Sequence, residues 1–107
     1  MTSTQTVRVA TIDELPEGKV IVVSAAERRI ALCNYGGAIY AIDDVCTHDR
    51  GPLGEGELIG HEIECPRHGA RFDVTTGRAT RLPAVRPVQA YPVHVVDGAV
   101  SVEVPQP

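Results

Sequence analysis

Two short sequence elements each combine a cysteine with a histidine, the residue types best suited to bind a transition metal. Cys46-Thr47-His48 comes first, and Cys65-Pro66-Arg67-His68 follows after sixteen intervening residues. Thiolate and imidazole donors select zinc, copper or iron, whereas hard cations prefer oxygen. Four such donors can hold one tetrahedral metal ion, or a two-iron cluster whose irons have different ligands. The sequence therefore predicts a metal centre built from these two elements.

The order of the four donors bears on which kind of centre they form. DNA-binding zinc fingers place two cysteines before two histidines and carry the histidines on a helix. Here each element is mixed, and no apolar stripe is long enough to predict a helix. A two-iron cluster accounts for mixed pairs, because two thiolates can hold one iron while two imidazoles hold the other. A structural zinc bound by the same four side chains is the alternative.

The remaining cysteine and histidines are not expected to bind metal. Cys33 has no partner of ligand type within a few residues, so we expect a small buried core residue. His61 lies in a predicted hairpin turn and His94 in a predicted strand, and both are expected to have surface or packing roles. Three cysteines cannot all pair, which argues against a disulfide scaffold.

Composition limits the class of protein. The 107 residues show no break in composition and predict one domain, residues 1–107. The net charge is −4 and Lys19 is the only lysine, which argues against nucleic-acid binding. The N-terminal residues MTSTQTVRV lack the charged region followed by an apolar region that is typical of a signal peptide, and no run reaches the 18 apolar residues that a membrane span requires. We therefore expect a cytoplasmic protein without a membrane segment.

Short runs of β-branched residues separated by turn signals predict an all-β chain. Gly36-Gly37 and Asp97-Gly98 are hairpin signals, and Pro92 predicts an edge or bulged strand. Residues 1–6 are small and polar and predict a frayed end. The predicted strands are 7–11, 19–24, 29–35, 38–43, 88–96 and 99–104, with a further hairpin over residues 58–64.

The pattern C-x-H, sixteen residues, C-x-x-H resembles the Rieske [2Fe–2S] motif, and the residues HGARFD and TTG that follow resemble the sequence usually found after it. The resemblance covers essentially the whole chain. It implies a Rieske-like fold, in which an antiparallel β-sandwich base carries an inserted cluster-binding subdomain of two loops at about residues 44–87. It also implies one cluster per chain, with Cys46 and Cys65 on the inner iron and His48 and His68 on the outer iron near the surface.

The same resemblance implies which residues surround the cluster. Leu53 and Phe72 would cover it with apolar side chains, Gly69 and Ala70 would follow the last ligand, and Pro83 would belong to a proline loop packed against it. Rieske proteins of respiratory and photosynthetic complexes carry an extra cysteine in each loop. The corresponding residues here are Gly51 and Arg67, so no disulfide can form there.

Those proteins also tend to carry a serine after the His-Gly pair and a tyrosine two residues later, whose hydroxyls donate hydrogen bonds to the cluster sulfurs. Ala70 and Phe72 occupy these positions here. Donors to sulfur stabilise the reduced cluster, and their absence lowers the reduction potential. We therefore expect a potential near the low end of the Rieske range of about −150 to +300 mV.

Together these features resemble the soluble ferredoxin component of Rieske oxygenase systems. The resemblance implies an electron carrier rather than an enzyme, a monomer that takes single electrons from a flavin-containing NAD(P)H reductase and passes them to a terminal Rieske oxygenase. Arg50 and Arg67 flank the histidines and could steer an acidic partner or be solvated loop charges. The alternatives are a subunit resembling the small subunit of nitrite reductase, and a zinc-stabilised β-domain that acts as an interaction module.

Overall fold

The computed structural model describes residues 3–47 and 50–106, whose regular secondary structure is almost all antiparallel strand, as the sequence predicted. Two single-turn 3-10 helices, Ile12–Glu14 and Leu53–Glu55, are present, and the described part of the chain has no helix long and apolar enough to span a membrane. The strands are β1 Thr4–Thr11, β2 Val20–Ala25, β3 Arg28–Tyr35, β4 Ala38–Asp43, β5 Glu57–Ile59, β6 Glu62–Glu64, β7 Arg71–Asp73, β8 Ala79–Arg81, β9 Ala90–Tyr91, β10 Val93–Val96 and β11 Ala99–Pro105.

The strands form three antiparallel sheets. The outer sheet has the order β1-β11-β10, the central sheet β2-β3-β4-β9, and the loop sheet β5-β6-β7-β8. Along β3, Ile30 and Leu32 pack into a core shared with the outer sheet. Ala31 and Cys33 point the other way into a second core shared with the loop sheet. The central sheet is thus buried on both faces, which explains why the polar and apolar residues of β3 do not alternate.

Pro92 marks the place where the chain changes sheets. The sequence predicted one strand over residues 88–96, and this prediction is wrong. β9 pairs with β4 through Ala41↔Tyr91, whereas β10 pairs with β11 in the outer sheet. Proline has no N–H to donate to a ladder, so it suits the break between the two short strands.

Two further expectations need correction at strand ends. Residues 1–6 were expected to fray, but Thr4–Thr6 pair with Glu103–Pro105 as part of β1, since backbone pairing on β11 does not need apolar side chains. The residues left between the predicted strands 19–24 and 29–35 extend both strands and form a two-residue turn, Ala26-Glu27, with φ angles of 50° and 65°. Positive φ at both positions is typical of type I′ hairpins but usually recruits Gly or Asn, so the sequence did not signal it.

Candidate metal centre

The described residues of the first ligand loop, 46–47 and 50–51, follow shortly after the end of β4 and are joined by backbone hydrogen bonds. The backbone N–H of Cys46 donates to the carbonyl of Gly51 at 2.7 Å, and the N–H of Arg50 donates to the carbonyl of Cys46 at 2.7 Å. Arg50 has a φ of 63°, in the left-handed region. These bonds fix the backbone of Cys46 in the segment that follows β4.

The second ligand element, residues 65–70, has the same frame. The N–H of Cys65 donates to the carbonyl of Ala70 at 2.7 Å, and the N–H of Gly69 donates to the carbonyl of Cys65 at 3.1 Å. Gly69 has a φ of 75° and so adopts the left-handed conformation at the position that Arg50 occupies in the first loop. The sequence did not reveal this equivalence, because only one of the two left-handed residues is a glycine.

The fold brings the two loops together on the side of the central sheet that faces the loop sheet. Cys46 and Cys65 are fully buried and belong to one apolar cluster with Leu53, Ala70 and Phe72. The residues predicted to surround the centre are therefore gathered with the two cysteines. Gly69 lies in the second loop itself, and Pro83 is half-buried next to Ala84, another member of that apolar cluster.

The structure describes only one of the two histidine ligand positions. His68 is exposed at the turn of the second loop, whereas His48 lies outside the described residues. Among residues 3–47 and 50–106, no three His, Cys, Asp or Glu side chains form a group suited to hold one metal ion. A two-iron cluster with two protein ligands per iron requires pairs of donors, and two buried thiols with an exposed imidazole are donors of the right chemistry.

A buried carboxylate that the sequence analysis missed anchors the first loop. The side chain of Asp44 is fully buried two residues before Cys46, and its Oδ1 accepts a hydrogen bond from the N–H of Gly54 at 2.5 Å. Its Oδ2 pairs with the guanidinium of Arg29 at 3.2 Å. A Cβ at Gly54 would lie 2.2 Å from Cγ2 of Val22, so only glycine allows this approach. Asp44 thus ties Leu53–Glu55 to the start of the loop.

The segment from Leu82 to Pro87 is attached to the first loop. The hydroxyl of Thr47 donates to the carbonyl of Arg86 at 2.7 Å, and Ala84 is buried in the apolar cluster that holds both cysteines. At its far end the N–H of Val88 donates to the carbonyl of Gly77 at 2.8 Å. The predicted proline loop therefore packs beside the two cysteine loops.

Charged side chains on the loop sheet pair with one another below the second loop. Nε of Arg71 donates to Glu64 at 2.9 Å, and the pKa of Arg71 is raised by that hydrogen bond. Burial acts to raise the pKa of Asp73, but hydrogen bonds from Thr75 and His61 outweigh it and hold that pKa below its usual value. Asp73 thereby orders the turn that follows β7.

The residues set aside as non-ligands occupy other environments. Cys33 is fully buried, as predicted, and burial raises the pKa of its thiol to about 12. His61 pairs with Asp73 at 3.3 Å and meets the ring of Tyr35 edge-on, while His94 pairs with Glu103 in the outer sheet. All three cysteines are free of disulfides.

Known proteins resemble this arrangement over most of its length. Residues 5–92 match the family model of the Rieske [2Fe-2S] domain. The ferredoxin component of the naphthalene 1,2-dioxygenase/salicylate 5-hydroxylase systems of Ralstonia sp. is 44% identical over 86 residues, covering 80% of this chain and 83% of the relative.

Two solved structures are also similar. The ferredoxin of carbazole 1,9a-dioxygenase from Nocardioides aromaticivorans IC177 superposes with a TM-score of 0.88 at 39% identity, covering 92% of this chain and 96% of that one. A complex of reduced oxygenase and oxidized ferredoxin in carbazole 1,9a-dioxygenase contains a chain with a TM-score of 0.86 at 34% identity, covering 91% of each chain.

Proposed function

Because the chain belongs to the Rieske [2Fe-2S] domain family, we propose that Cys46, His48, Cys65 and His68 together hold one Rieske-type cluster. When bound, such a cluster takes up and releases single electrons. Cys46 and Cys65 are buried among apolar side chains, as expected for ligands of the inner iron. His68 is exposed, as expected for a ligand of the outer iron. The matching hydrogen-bonded frames of the two loops support the same assignment, since each would present one thiolate from a fixed backbone.

The chain acts as the ferredoxin component of a Rieske oxygenase system and carries electrons rather than catalysing a reaction. The observation that carries this conclusion is the 44% identity, over most of both chains, to a protein of that role. The predicted ferredoxin is thus favoured over the nitrite-reductase-type subunit and the zinc-stabilised module. Its electrons leave through the exposed imidazole end of the molecule, where a partner can approach closely.

The partners are a terminal Rieske oxygenase and, upstream of the ferredoxin, a flavin-containing NAD(P)H reductase. The complex of an oxygenase with a ferredoxin similar to this chain supports the first. The reductase follows from the need for a donor of electrons, and we propose that the protein works as a cytoplasmic monomer. Arg50 and Arg67 are exposed on the two metal loops, where positive charge can steer an acidic partner.

Stopped-flow mixing tests the carrier role directly. The protein is reduced anaerobically with dithionite, freed of excess dithionite by gel filtration, and mixed with oxidised terminal oxygenases of its source organism and of the naphthalene and carbazole systems. Reoxidation of this protein with matching reduction of at least one oxygenase is expected. If the reduced protein transfers electrons to none of them, the proposed role is wrong.

The reduction potential should lie near the low end of the Rieske range. Ala70 and Phe72 are fully buried in the apolar cluster beside both cysteines and carry no hydroxyl, which supports a centre without side-chain donors at these positions. Redox titration should give a midpoint toward the low end of about −150 to +300 mV, and Ala70→Ser or Phe72→Tyr should raise it. A wild-type midpoint well above zero would contradict the assignment.

A further inference from the structure

The segment Leu82–Pro87 exposes two large apolar side chains beside the metal loops. Leu82 is 71% exposed and Val85 is 76% exposed, the highest values among the large hydrophobic residues that the structure describes. Single exposed aliphatic residues are common on protein surfaces. Leu82 and Val85 form an apolar projection on a short segment that contains two prolines. Packing within the chain does not explain why both side chains are apolar.

This projection is held in place from both sides. Ala84, between the two exposed residues, is buried in the apolar cluster that contains Cys46 and Cys65. The hydrogen bond from Thr47 to the carbonyl of Arg86 fixes the following residue. An ordered apolar projection loses little conformational freedom when a partner covers it, which favours binding.

The segment also passes both metal loops. It begins directly after β8, where Arg81 lies opposite Arg71, one residue beyond the second loop, and it ends at Arg86, bonded to Thr47 of the first loop. A partner that covers Leu82 and Val85 would therefore lie against the end of the molecule that carries both ligand elements.

The charge around the segment is opposite in sign to that of the whole chain. Residues 65–87 contain five arginines and one acidic residue, although the chain has a net charge of −4. Arg71 and Arg81 pair with glutamates of the loop sheet. Arg67 in the second metal loop and Arg86 in the segment itself have exposed side chains. An apolar centre with a positive rim fits a partner that has an apolar recess bordered by carboxylates.

We propose that Leu82 and Val85 form the apolar core of the docking face for the terminal oxygenase, with Arg67 and Arg86 at its rim. This inference rests on the proposed function. We choose the oxygenase as the partner because a ferredoxin similar to this chain occurs in a solved complex with an oxygenase. An apolar core that loses water on docking, surrounded by a polar rim, is the usual arrangement of such an interface.

The test uses the holo-protein with Leu82→Ser and Val85→Ser together, and Val96→Ser as the matched control. Val96 is 66% exposed on β10 of the outer sheet, so it tests the loss of an exposed valine away from the metal loops. The oxygenase is one that wild-type protein reduces. The double variant should raise the KM for ferredoxin in oxygenase turnover by about tenfold or more, because two aliphatic side chains no longer become buried.

Further measurements distinguish weaker docking from damage to the metal centre. The visible spectrum and midpoint potential of the double variant should equal those of wild type, and Val96→Ser should leave the KM unchanged. Arg86→Gln should weaken binding less than the double variant does, and it should reduce the dependence of binding on salt. Arg8→Gln on β1 is the control for this charge and should change neither the binding nor its salt dependence.

The outcomes are distinguishable. The proposed face is overturned, while the carrier role stands, if the double variant leaves the KM for ferredoxin in oxygenase turnover unchanged. The same holds if the double variant changes only the KM for ferredoxin in the reaction with the reductase. Failure of wild-type protein to reduce any oxygenase overturns the carrier role itself. A rise in the KM for ferredoxin in oxygenase turnover, with an unchanged spectrum and midpoint potential, supports the proposed face. This holds whether or not the reductase binds at the same face.

Discussion

Asp44 should stabilise the first metal loop mainly through its hydrogen bond to Gly54 and much less through its salt bridge to Arg29. In Asp44→Ala, the N–H of Gly54 loses a charged acceptor that lies 2.5 Å away, and this acceptor is fully buried. A hydrogen bond to a charged group contributes about 1.5–3 kcal/mol. Arg29 is 69% exposed, so its pair with Asp44 adds only about 0–1 kcal/mol. The loss should be about 1.5–4 kcal/mol in total.

Such a loss is a large share of the roughly 5–15 kcal/mol that stabilises a domain. It should also loosen Leu53–Glu55, whose buried Leu53 packs in the same apolar cluster as Cys46. We therefore expect faster loss of the visible absorbance of the bound cluster in Asp44→Ala at moderate urea concentration.

Arg29→Ala is the matched control, because it removes the salt bridge but leaves the hydrogen bond to Gly54. Urea unfolding should give a loss of at most about 1 kcal/mol for this variant. The reasoning is refuted if Arg29→Ala costs as much as Asp44→Ala, or if Asp44→Ala costs less than about 1 kcal/mol.

Three further predictions concern the loops and the cores. Gly69→Ala should lower the unfolding free energy by about 1 kcal/mol, because alanine is strained at its φ of 75°, whereas Arg50→Gly at the equivalent position should be neutral or stabilising; equal losses in urea unfolding would argue against the shared frame. The lowered pKa of Asp73 means that its ionised form stabilises the fold above its ordinary value of 3.8 and that this contribution disappears as pH falls through the folded value. The difference in urea midpoint between wild type and Asp73→Asn should therefore shrink between about pH 6 and about pH 3, and a constant difference would contradict it. Cys33, with a pKa of about 12, should resist iodoacetamide in the folded protein and react after denaturation; rapid labelling of the folded protein, located by mass spectrometry, would show that it is accessible.

The sequence predicted the parts of the fold that depend on local signals. Gly36-Gly37 and Asp97-Gly98 lie at hairpin turns, and the hairpin over residues 58–64 is β5 and β6. Features that depend on distant partners were not predictable. β8 was missed because its polar residues gain strand structure only from pairing with β7, and Thr4–Thr6 are ordered only by β11.

The candidate centre shows the same division. Ligand types and spacing identified the two loops, and family resemblance identified Leu53, Ala70 and Phe72 as their apolar surroundings. Asp44 gave no signal, because one carboxylate next to another in the sequence does not reveal which is buried. The family resemblance predicted a proline loop at Pro83, but only the structure shows that Leu82 and Val85 on either side of Ala84 are exposed while Ala84 is buried.

The central claim is that two cysteines and two histidines of this chain hold one two-iron cluster. Anaerobic purification followed by assay of iron, zinc and acid-labile sulfide tests it most directly. The account predicts a red-brown protein with about two irons and two sulfides per chain, and both should fall sharply in Cys65→Ser but not in Cys33→Ser. A colourless protein that carries one zinc per chain and no sulfide would contradict it.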